Sequence, residues 1–421
     1  MRTTSILAAL CCVFGLALAE VARYDNYHVY DVIASSSEDV KILDELESSS
    51  DSVIFLAKPS KLSSHAKIVV APHKLADFAD LLERHGMKST LVEKNLQRQI
   101  NSERIEMSKS KKSSQFDLDN YHSLNEVHDW LRSLEKEFPD VVTVVSAGKS
   151  YEDRELLGVK LSHKAGNPGV FIEAGIHARE WISPATVLFL VNELLTSQDA
   201  DVQKLAQDFD WYVFPSVNPD GYVYTHEKAR LWRKTRKPFG SCVGVDANRN
   251  WDFHWNEVGA SSQPCADTYA GPEAASEPEV QALVSFLESV KGKVHLYLSF
   301  HSFSQLLLFP YGHTGQHADN YDDLKDVGNV AAKALAKRYG TKYTVGDTYT
   351  TIYPAAGTSI DWAKGVMDVA LSYCYELRPK SLFGGGFELP AKEIRPTALE
   401  TLDSLVALLK RAEELKYFER E

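Results

Sequence analysis

The sequence lacks an excess of positive charge. Its 421 residues include 46 lysines and arginines against 58 aspartates and glutamates, which gives a formal net charge of −12. Because a nucleic-acid-binding protein needs a concentrated basic face, this balance argues against a nucleic-acid partner. Hydrophobic residues make up 44% and charged residues 25% of the chain, which is ordinary for a soluble globular protein.

After its first residues the sequence also lacks an uninterrupted apolar run of membrane-spanning length. The apolar run over residues 6–18 follows Arg2 and ends in Ala17-Leu18-Ala19. A positive start, a short apolar segment and small residues at its end are typical of a secretory signal peptide. The alternative is an anchor helix, for which the run is short. We expect residues 1–19 to be removed and the mature protein to be secreted, soluble and free of the membrane.

Cysteine is scarce, with five in the whole chain. Cys11 and Cys12 would leave with the signal peptide, so three remain. In a secreted protein a disulfide is favoured, and Cys242 and Cys265 lie in a polar, loop-like segment that suits one. Cys374 lies in an apolar run, and we expect it to be a buried free thiol.

Residues 20–112 have the pattern of a small module without catalytic features. Their apolar periodicity predicts elements in the order β-α-β-β-α-β, followed by a polar helix over 95–107. This order is typical of a ferredoxin-like α+β sandwich. The basic, serine-rich stretch 108–114 that follows is a favourable site for a trypsin-like protease. We interpret residues 20–112 as a removable pro-segment; the alternative is an ordinary linker after a small domain.

Residues 113–421 alternate between strand and helix patterns, and no repeat divides them. This alternation predicts an α/β domain with a mixed, mostly parallel sheet flanked by helices. Predicted strands cover residues 141–146, 157–162, 170–173, 211–215, 295–300, 306–309 and 369–376, and predicted helices cover 183–195, 277–290, 322–339 and 397–417.

Three of the predicted strands end in side chains that bind metals or protons. In chain order these strand ends carry His177 with Glu180, then His301, then Glu376. Ligands of such sheets gather at the carboxyl edge. A catalytic zinc site needs three protein ligands and an open position, and hydrolysis needs a base that is not a ligand. The first three residues fit the ligand role and Glu376 fits the base.

Each of these residues taken alone has a simpler interpretation. His301 could be a hydrogen-bonded core histidine, and Glu376 could form an ion pair with Arg378. It is the convergence of all four residues on one edge that favours a metal site.

Arginines stand among tryptophans in residues 230–251. A guanidinium group binds a carboxylate through two hydrogen bonds, so this composition favours an anion pocket. The alternative is a solvated basic loop, which is our interpretation of Lys234, Arg236 and Lys237. An anion pocket beside a zinc site indicates a substrate with a free carboxyl end next to the bond that is cut.

Five short motifs occur in order along the chain: His177-Ala-Arg-Glu180, Asn218-Pro-Asp-Gly, Asp246-Ala-Asn-Arg-Asn, His301-Ser-Phe-Ser-Gln and Tyr375-Glu376-Leu-Arg. In this order and spacing the chain resembles the animal metallocarboxypeptidases of the pancreatic and digestive type, over its whole length. The resemblance implies a zymogen, opened by a trypsin-like protease, that removes the last residue of peptides and proteins. It also implies one zinc ion per chain and a monomeric enzyme.

The resemblance further implies a role for each matching position. By this resemblance the zinc ligands are His177, Glu180 and His301, the general base and acid is Glu376, and the cation that stabilises the oxyanion is Arg233. The terminal carboxylate of the substrate is held by Asn248, Arg249 and Tyr353, and Arg179 contacts the peptide further along. The resemblance also implies that Asp246 orients His177 and that Cys242 and Cys265 form the disulfide.

Specificity depends on the pocket for the C-terminal side chain. Members of the family that remove Lys or Arg carry an acid at the position of Ile360. An apolar residue there leaves a buried cation without a partner. With Leu308, Ala355 and Cys374 also at matching positions, the resemblance implies release of aliphatic or aromatic residues.

Two other functions are compatible with parts of this pattern. A non-catalytic peptide-binding homologue would have lost a ligand or the base, and this chain keeps them. A zinc amidohydrolase acting on acylated amino acids would not need an activation segment. A thermolysin-like endopeptidase is disfavoured because the sequence has no His-Glu-x-x-His motif.

Overall fold

The computed structural model describes residues 21–49, 52–58, 64–110, 116–380 and 385–419. The predicted signal peptide and most of the predicted cleavage stretch, residues 111–114, lie outside these ranges. Of the helices within them, none is both long enough and apolar enough to span a bilayer.

The N-terminal domain is a small α+β sandwich followed by one helix. Its elements are β1 (His28–Ala34), α1 (Ser37–Ser49), β2 (Val53–Ala57), β3 (Ser64–Val70), α2 (Leu75–Arg84), β4 (Lys88–Glu93) and α3 (Gln97–Ser110). The strands form an antiparallel sheet in the order β2-β3-β1-β4. The predicted β-α-β-β-α-β arrangement is therefore confirmed.

The C-terminal domain is built on one large sheet with helices on both faces. Its strands are β5 (Val142–Lys149), β6 (Glu155–Leu161), β7 (Gly169–Ala174), β8 (Asp210–Phe214), β9 (Pro238–Phe239), β10 (Cys242–Val243), β11 (Val294–Ser302), β12 (Leu306–Phe309), β13 (Thr344–Asp347) and β14 (Leu371–Leu377). Its helices are α4 (Leu124–Glu137), α5 (Ile182–Thr196), α6 (Ala200–Asp208), α7 (Pro219–Glu227), α8 (Pro278–Ser289), α9 (Tyr321–Tyr339), α10 (Thr348–Thr351), α11 (Ser359–Gly365) and α12 (Ile394–Glu414).

The sheet is mixed, as predicted. Its strand order is β13-β12-β14-β11-β7-β8-β6-β5. The pairs β7–β8, β7–β11, β11–β14 and β12–β13 are parallel, whereas β5–β6, β6–β8 and β12–β14 are antiparallel. β7 lies near the centre and is buried along its whole length, which explains why it reads as an almost continuous apolar run.

The sequence interpretation missed several elements, of which α4 is the longest. α4 begins at a capping box, in which the Ser123 side chain accepts from the Glu126 backbone and Glu126 caps Ser123 in return. A Ser followed three residues later by Glu is a recognisable helix start, so this signal was available. β13 is short and lies at the edge of the sheet, where apolar periodicity is weak.

The cysteines are placed as predicted. Cys242 and Cys265 form a disulfide with Cα atoms 5.0 Å apart, and Cys374 is a buried free thiol.

Candidate metal centre

The centre lies where β7, β11 and β14 end. These strands are neighbours and parallel, so their carboxyl ends meet at one edge of the sheet. Gly175, directly after β7, has a φ of +69°, a left-handed conformation that glycine adopts without strain. The chain turns there and presents His177 and Glu180 before α5 begins. His301 near the end of β11 and Glu376 near the end of β14 are direct register partners.

Three donor groups converge at this edge. His177 Nδ1 lies 2.8 Å from Glu180 Oε1, His301 Nδ1 lies 3.1 Å from Glu180 Oε2, and the two Nδ1 atoms are 3.0 Å apart. All three side chains are buried. Burial opposes ionisation of Glu180, but the two histidines outweigh it and hold its pKa well below the usual range.

This donor set fits a zinc ion. Two imidazole nitrogens and one carboxylate are the ligands of many catalytic zinc sites, at about 2.0–2.2 Å from the metal. Within the described residues this is the one cluster whose ligand atoms all lie within 4.8 Å of one another. Two imidazole nitrogens facing each other beside a carboxylate have no better common partner than a cation.

Asp246 connects the histidine to an arginine. His177 Nε2, on the side of the ring away from the other donors, lies 3.1 Å from Asp246 Oδ1. Arg233 donates to Asp246 Oδ2 from Nη2 at 2.8 Å and from Nε at 3.2 Å. Burial disfavours the Asp246 carboxylate, but Arg233 and His177 hold its pKa well below its usual range. A carboxylate on the second nitrogen fixes the tautomer in which Nδ1 is free to bind a metal.

Glu376 lies beside the donor cluster without belonging to it. Burial raises its pKa to about 7, with His301 opposing the rise and Glu180 adding to it. The alternative pairing with Arg378 is not found, because Arg378 donates to Glu393 and Glu400 instead. The Glu376 carboxyl therefore faces the cleft free of that counter-ion.

A cavity of about 1130 Å³ opens over the centre, between the two domains. Its walls include His177, Arg179, Glu180, Arg233, Arg249, Tyr353 and Glu376. Arg249 donates from Nε to Gly259 O at 2.9 Å and from Nη1 to Asn248 O at 2.8 Å. Its Nη2 makes no hydrogen bond to a described residue, so the guanidinium keeps one edge for a ligand.

Asn248 and Ile360 are not among the residues that line this cavity. Asn248 Oδ1 accepts from the Ser359 backbone at 2.9 Å, and its Nδ2 lies 3.4 Å from His301 Nε2. Ile360 is 4% exposed and belongs to an apolar cluster that also contains Leu308 and Cys374.

The N-terminal domain covers the cleft. Arg179, buried at its rim, donates from Nη2 to the Phe55 backbone carbonyl of β2 at 3.1 Å and from Nη1 to Asp267 at 3.2 Å. An apolar cluster joins the domains, with Leu56, Val69, Leu96 and Ile100 on one side and Leu231, Phe303 and Phe387 on the other. A polypeptide approaching Arg179 would have to displace β2.

Comparison with known proteins identifies the family. The family model described as "Zinc carboxypeptidase" matches residues 127–404, and the model described as "Carboxypeptidase activation peptide" matches residues 30–103. The chain belongs to the zinc carboxypeptidase family. The resemblance drawn from the five motifs is thus confirmed, and so is zinc as the metal of this cluster.

Two curated relatives match this zinc carboxypeptidase over nearly its whole length. Zinc carboxypeptidase A 1 of Anopheles gambiae is 51% identical over 414 residues, 98% of this chain and 96% of that protein. Zinc carboxypeptidase A 1 of Drosophila melanogaster is 48% identical over 411 residues, 95% of each chain. The crystal structure of carboxypeptidase A from Helicoverpa armigera superposes with a TM-score of 0.85 at 30% identity and covers 93% of this chain and 98% of that one.

Sequence interpretation missed two residues that build this carboxypeptidase site. The Asn218 side chain donates to Ile176 O at 3.0 Å and Lys234 O at 3.1 Å, which ties the loops before His177 and after Arg233 together. Arg230 lies under Arg179, to whose carbonyl it donates at 2.8 Å. Asn218 stands inside one of the five motifs and Arg230 inside the segment 230–251, but nothing local indicates such distant partners.

One sequence interpretation was wrong. Lys234 is not solvated; it is 4% exposed and donates to Pro264 O at 2.8 Å, and burial lowers its pKa to about 8. Arg236 also packs on aromatic rings, with its guanidinium 3.5 Å from the centre of the Tyr224 ring. Lys234 and Arg236 are therefore packed into the domain rather than carried on a free loop.

Proposed function

We propose that this protein is a secreted digestive-type carboxypeptidase that releases aliphatic or aromatic residues from peptide C-termini. The observation that carries the proposal is the buried apolar cluster of Ile360, Leu308 and Cys374 close to a complete zinc donor set. Glu376, Arg233 and the free edge of Arg249 face the same cavity. The fold and the zinc carboxypeptidase activity follow from the family; the specificity, the residue roles and the export are our proposal.

In the proposed mechanism the chain's own residues bind, orient and move protons. Bound zinc supplies a Lewis acid that makes water nucleophilic at neutral pH and polarises the scissile carbonyl. Glu376 accepts the proton of the attacking water and returns it to the leaving amine. Arg233, held by Asp246, presents its remaining N–H groups to the developing oxyanion.

The substrate is positioned by its terminal carboxylate. Arg249 binds the carboxylate with its free guanidinium edge, and Asn248 and Tyr353 complete this clamp. Since the clamp needs a chain end, the geometry favours an exopeptidase over an endopeptidase. Arg179 would contact the peptide upstream of the cut once β2 no longer covers it.

Specificity follows from the apolar cluster around Ile360. A lysine or arginine side chain entering it would lose its hydration without gaining a counter-ion at that position. An aliphatic or aromatic side chain gains about 25 cal/mol for each Å² of apolar surface that it buries.

The proposed biosynthesis has three parts. Residues 1–19 are the signal peptide, residues 20–112 the pro-segment, and residues 113–421 the mature, monomeric enzyme. A trypsin-like protease cuts within 108–114 and frees the cleft. N-terminal sequencing of the protein before and after trypsin treatment tests these boundaries; an unprocessed Met1 in secreted protein would refute the export signal.

Glu376→Gln tests the role of the base. We expect zinc content to stay at one per chain while kcat falls by about 10²- to 10⁴-fold, because the amide cannot accept the proton. Glu288→Gln, on the exposed surface of α8, is the control and should keep wild-type turnover. Full turnover in Glu376→Gln would rule out the mechanism.

Ile360→Asp tests the specificity. The trypsin-activated wild type should release Phe and Leu faster than Lys and Arg from matched peptides, and the Asp variant should gain activity on Lys and Arg. Ile360→Val should keep the apolar preference. Faster release of Lys or Arg by the wild type would contradict the assignment.

A further inference from the structure

Arg230 is buried where the two domains meet, and both domains bind it. Its guanidinium donates to the Glu103 carboxylate of the N-terminal domain from Nε and from Nη2. It also donates to the Arg179 carbonyl from Nη1 at 2.8 Å and to the Phe387 carbonyl from Nη2 at 2.6 Å. Among the described residues, the one carboxylate that is hydrogen-bonded to this cation therefore comes from the domain that covers the cleft.

A second carboxyl group lies beside the same arginine without binding it. Glu388 follows Phe387 directly, is 5% exposed, and has no hydrogen-bond partner for its Oε1 among the described residues. The charged groups that act on it most strongly are Arg230 and Glu103, followed by Arg179. Two carboxyl groups, one from each domain, thus face one buried guanidinium, and Glu103 holds it.

The N-terminal domain covers the loop that carries Glu388. Phe387 packs in an apolar cluster with side chains of that domain, among them Tyr24, Leu96 and Ile100. Burial, with Glu388 adding to it, raises the pKa of Tyr24 to about 12, so this hydroxyl stays neutral near pH 7. When the N-terminal domain undocks, Glu388 gains contact with water, loses the neighbouring Glu103 and keeps both arginines.

Docking disfavours the charged form of Glu388. Burial raises the pKa of Glu388 to about 7, with Arg230 and Arg179 opposing the rise and Glu103 adding to it. Undocking reduces the burial and removes Glu103 but leaves the two arginines. The pKa must then fall towards the 4.5 of an ordinary glutamate. Between these two values the docked form holds a proton that the open form releases.

We propose that Glu388 makes the autoinhibitory contact of the N-terminal domain dependent on a proton. While its carboxyl is protonated, Glu103 holds Arg230 and the cleft stays covered; once it is ionised, it repels Glu103 and favours opening. This inference rests on the proposed zymogen organisation, in which the N-terminal domain covers the cleft until it is cut off, and adds a pH control to it.

The direction of the effect follows from proton linkage. The form that binds the additional proton is stabilised as the pH falls, and here that is the docked form. The open fraction of the uncleaved chain should therefore rise with pH through the window between about 4.5 and about 7. Above this window Glu388 is ionised in both forms, and its contribution becomes constant.

The first experiment compares the uncleaved wild-type chain with the trypsin-activated chain on a peptide of about ten residues ending in Phe, which is long enough to require displacement of β2. Dividing the basal kcat/KM of the uncleaved chain by that of the activated chain at the same pH cancels the titration of the catalytic groups. We expect the ratio to rise by about 20-fold from pH 5.5 to pH 7.5, as pKa values of about 4.5 and about 7 require. A ratio that is flat or falls with pH overturns the proposal, and this arm requires no variant to fold.

The second experiment removes the titrating group. Glu388→Gln is neutral at every pH, so we expect its ratio to change by less than about threefold over the same range and to lie below the wild-type ratio at pH 7.5. This variant assigns the effect to Glu388, because burial also raises the pKa of Glu47 at the same interface. A rise as large as that of the wild type in Glu388→Gln overturns the proposal.

Glu279→Gln is the matched control. Glu279 is also buried with an unpaired oxygen, and burial raises its pKa to about 7. It lies on α8 and accepts from the Tyr151 backbone at 3.1 Å, within the C-terminal domain. The control should keep the wild-type rise of the ratio with pH; a flat ratio in this variant would contradict a specific role of Glu388.

The outcomes separate this inference from the proposed function. If the uncleaved chain cuts the peptide as fast as the activated chain at every pH, the proposed zymogen organisation fails, and the inference fails with it. If the uncleaved chain is slower but Glu388→Gln keeps the wild-type response to pH, the inference alone is wrong.

Discussion

Glu103 and Arg230 form a buried ion pair with two hydrogen bonds, from Nε to Oε2 at 2.6 Å and from Nη2 to Oε1 at 2.9 Å. Glu103 lies on α3 of the activation peptide, and Arg230 lies beneath the rim of the cleft. The guanidinium also stacks on Trp181, 3.7 Å from the ring centre. Through this pair, the last helix of the N-terminal domain binds Arg230, which in turn donates to the Arg179 carbonyl.

Removing one partner of this pair should loosen the cover over the cleft. A buried arginine left without its carboxylate costs about 3–5 kcal/mol, so Glu103→Ala should weaken docking of the N-terminal domain. We expect the uncleaved variant to show more basal carboxypeptidase activity and a lower thermal midpoint than the wild type. Glu106→Ala, exposed on the same helix, is the control; equal basal activity in the two variants would contradict the prediction.

Asn218 should be needed to position the site. Asn218→Ala leaves two buried carbonyls, those of Ile176 and Lys234, without this donor, and each loss costs about 1–3 kcal/mol. Since the two loops carry His177 and Arg233, we also expect kcat/KM to fall by about tenfold or more. Denaturant unfolding and steady-state kinetics measure the two effects, with the partly exposed Asn192→Ala as control. Unchanged kinetics with lowered stability would limit Asn218 to a structural role.

The zinc stoichiometry should depend on His301. Metal analysis of the wild type should give one zinc per chain, and a chelator should abolish turnover reversibly. His301→Ala removes one of three protein ligands, and we expect it to retain less than about one tenth of the zinc under dilute conditions. His163→Ala, exposed on the surface, should bind zinc like the wild type. Full zinc content in His301→Ala would show that the ligand set is wrong.

His128 on α4 should make the protein sensitive to acid. Burial, with Arg132 nearby, lowers its pKa to about 4 from 6.5, so between these values the unfolded chain binds a proton that the folded chain does not. Its contribution to stability is complete above pH 6.5 and is lost as the pH falls towards 4. At pH 4.5 the loss amounts to about 2–3 kcal/mol.

His128→Leu should therefore lose less stability than the wild type between pH 7 and pH 4.5. Denaturant unfolding at the two pH values gives this difference, and His163→Leu, which is exposed, serves as the control. An identical loss in wild type and His128→Leu would mean that His128 is not the responsible group.

Much of the site could be predicted because its residues follow strands that are recognisable in sequence. His301 and Glu376 stand at the ends of apolar runs, and parallel neighbouring strands bring their ends together whatever the details of packing. His177 and Glu180 are close in sequence, so their proximity is local. The two-domain plan follows equally from periodicity and from the polar, basic stretch between the domains.

The pairing of charged side chains was decided by tertiary structure alone. Arg378 is two residues from Glu376, yet it binds Glu393, directly before α12, and Glu400 within α12. Arg230 pairs with a glutamate 127 positions away. Hydrogen-bond geometry in a buried site depends on which groups are oriented towards each other, and sequence spacing carries no information on that for distant segments.

The same division holds for the pocket. The sequence by itself determined that Ile360 is apolar, and with it the absence of an acid at that position. Only the register of four strands decided that Glu173 shares a row with Cys374 and Leu308. The zinc site is thus largely a property of local motifs, whereas the surroundings of Glu173 are a property of the assembled sheet.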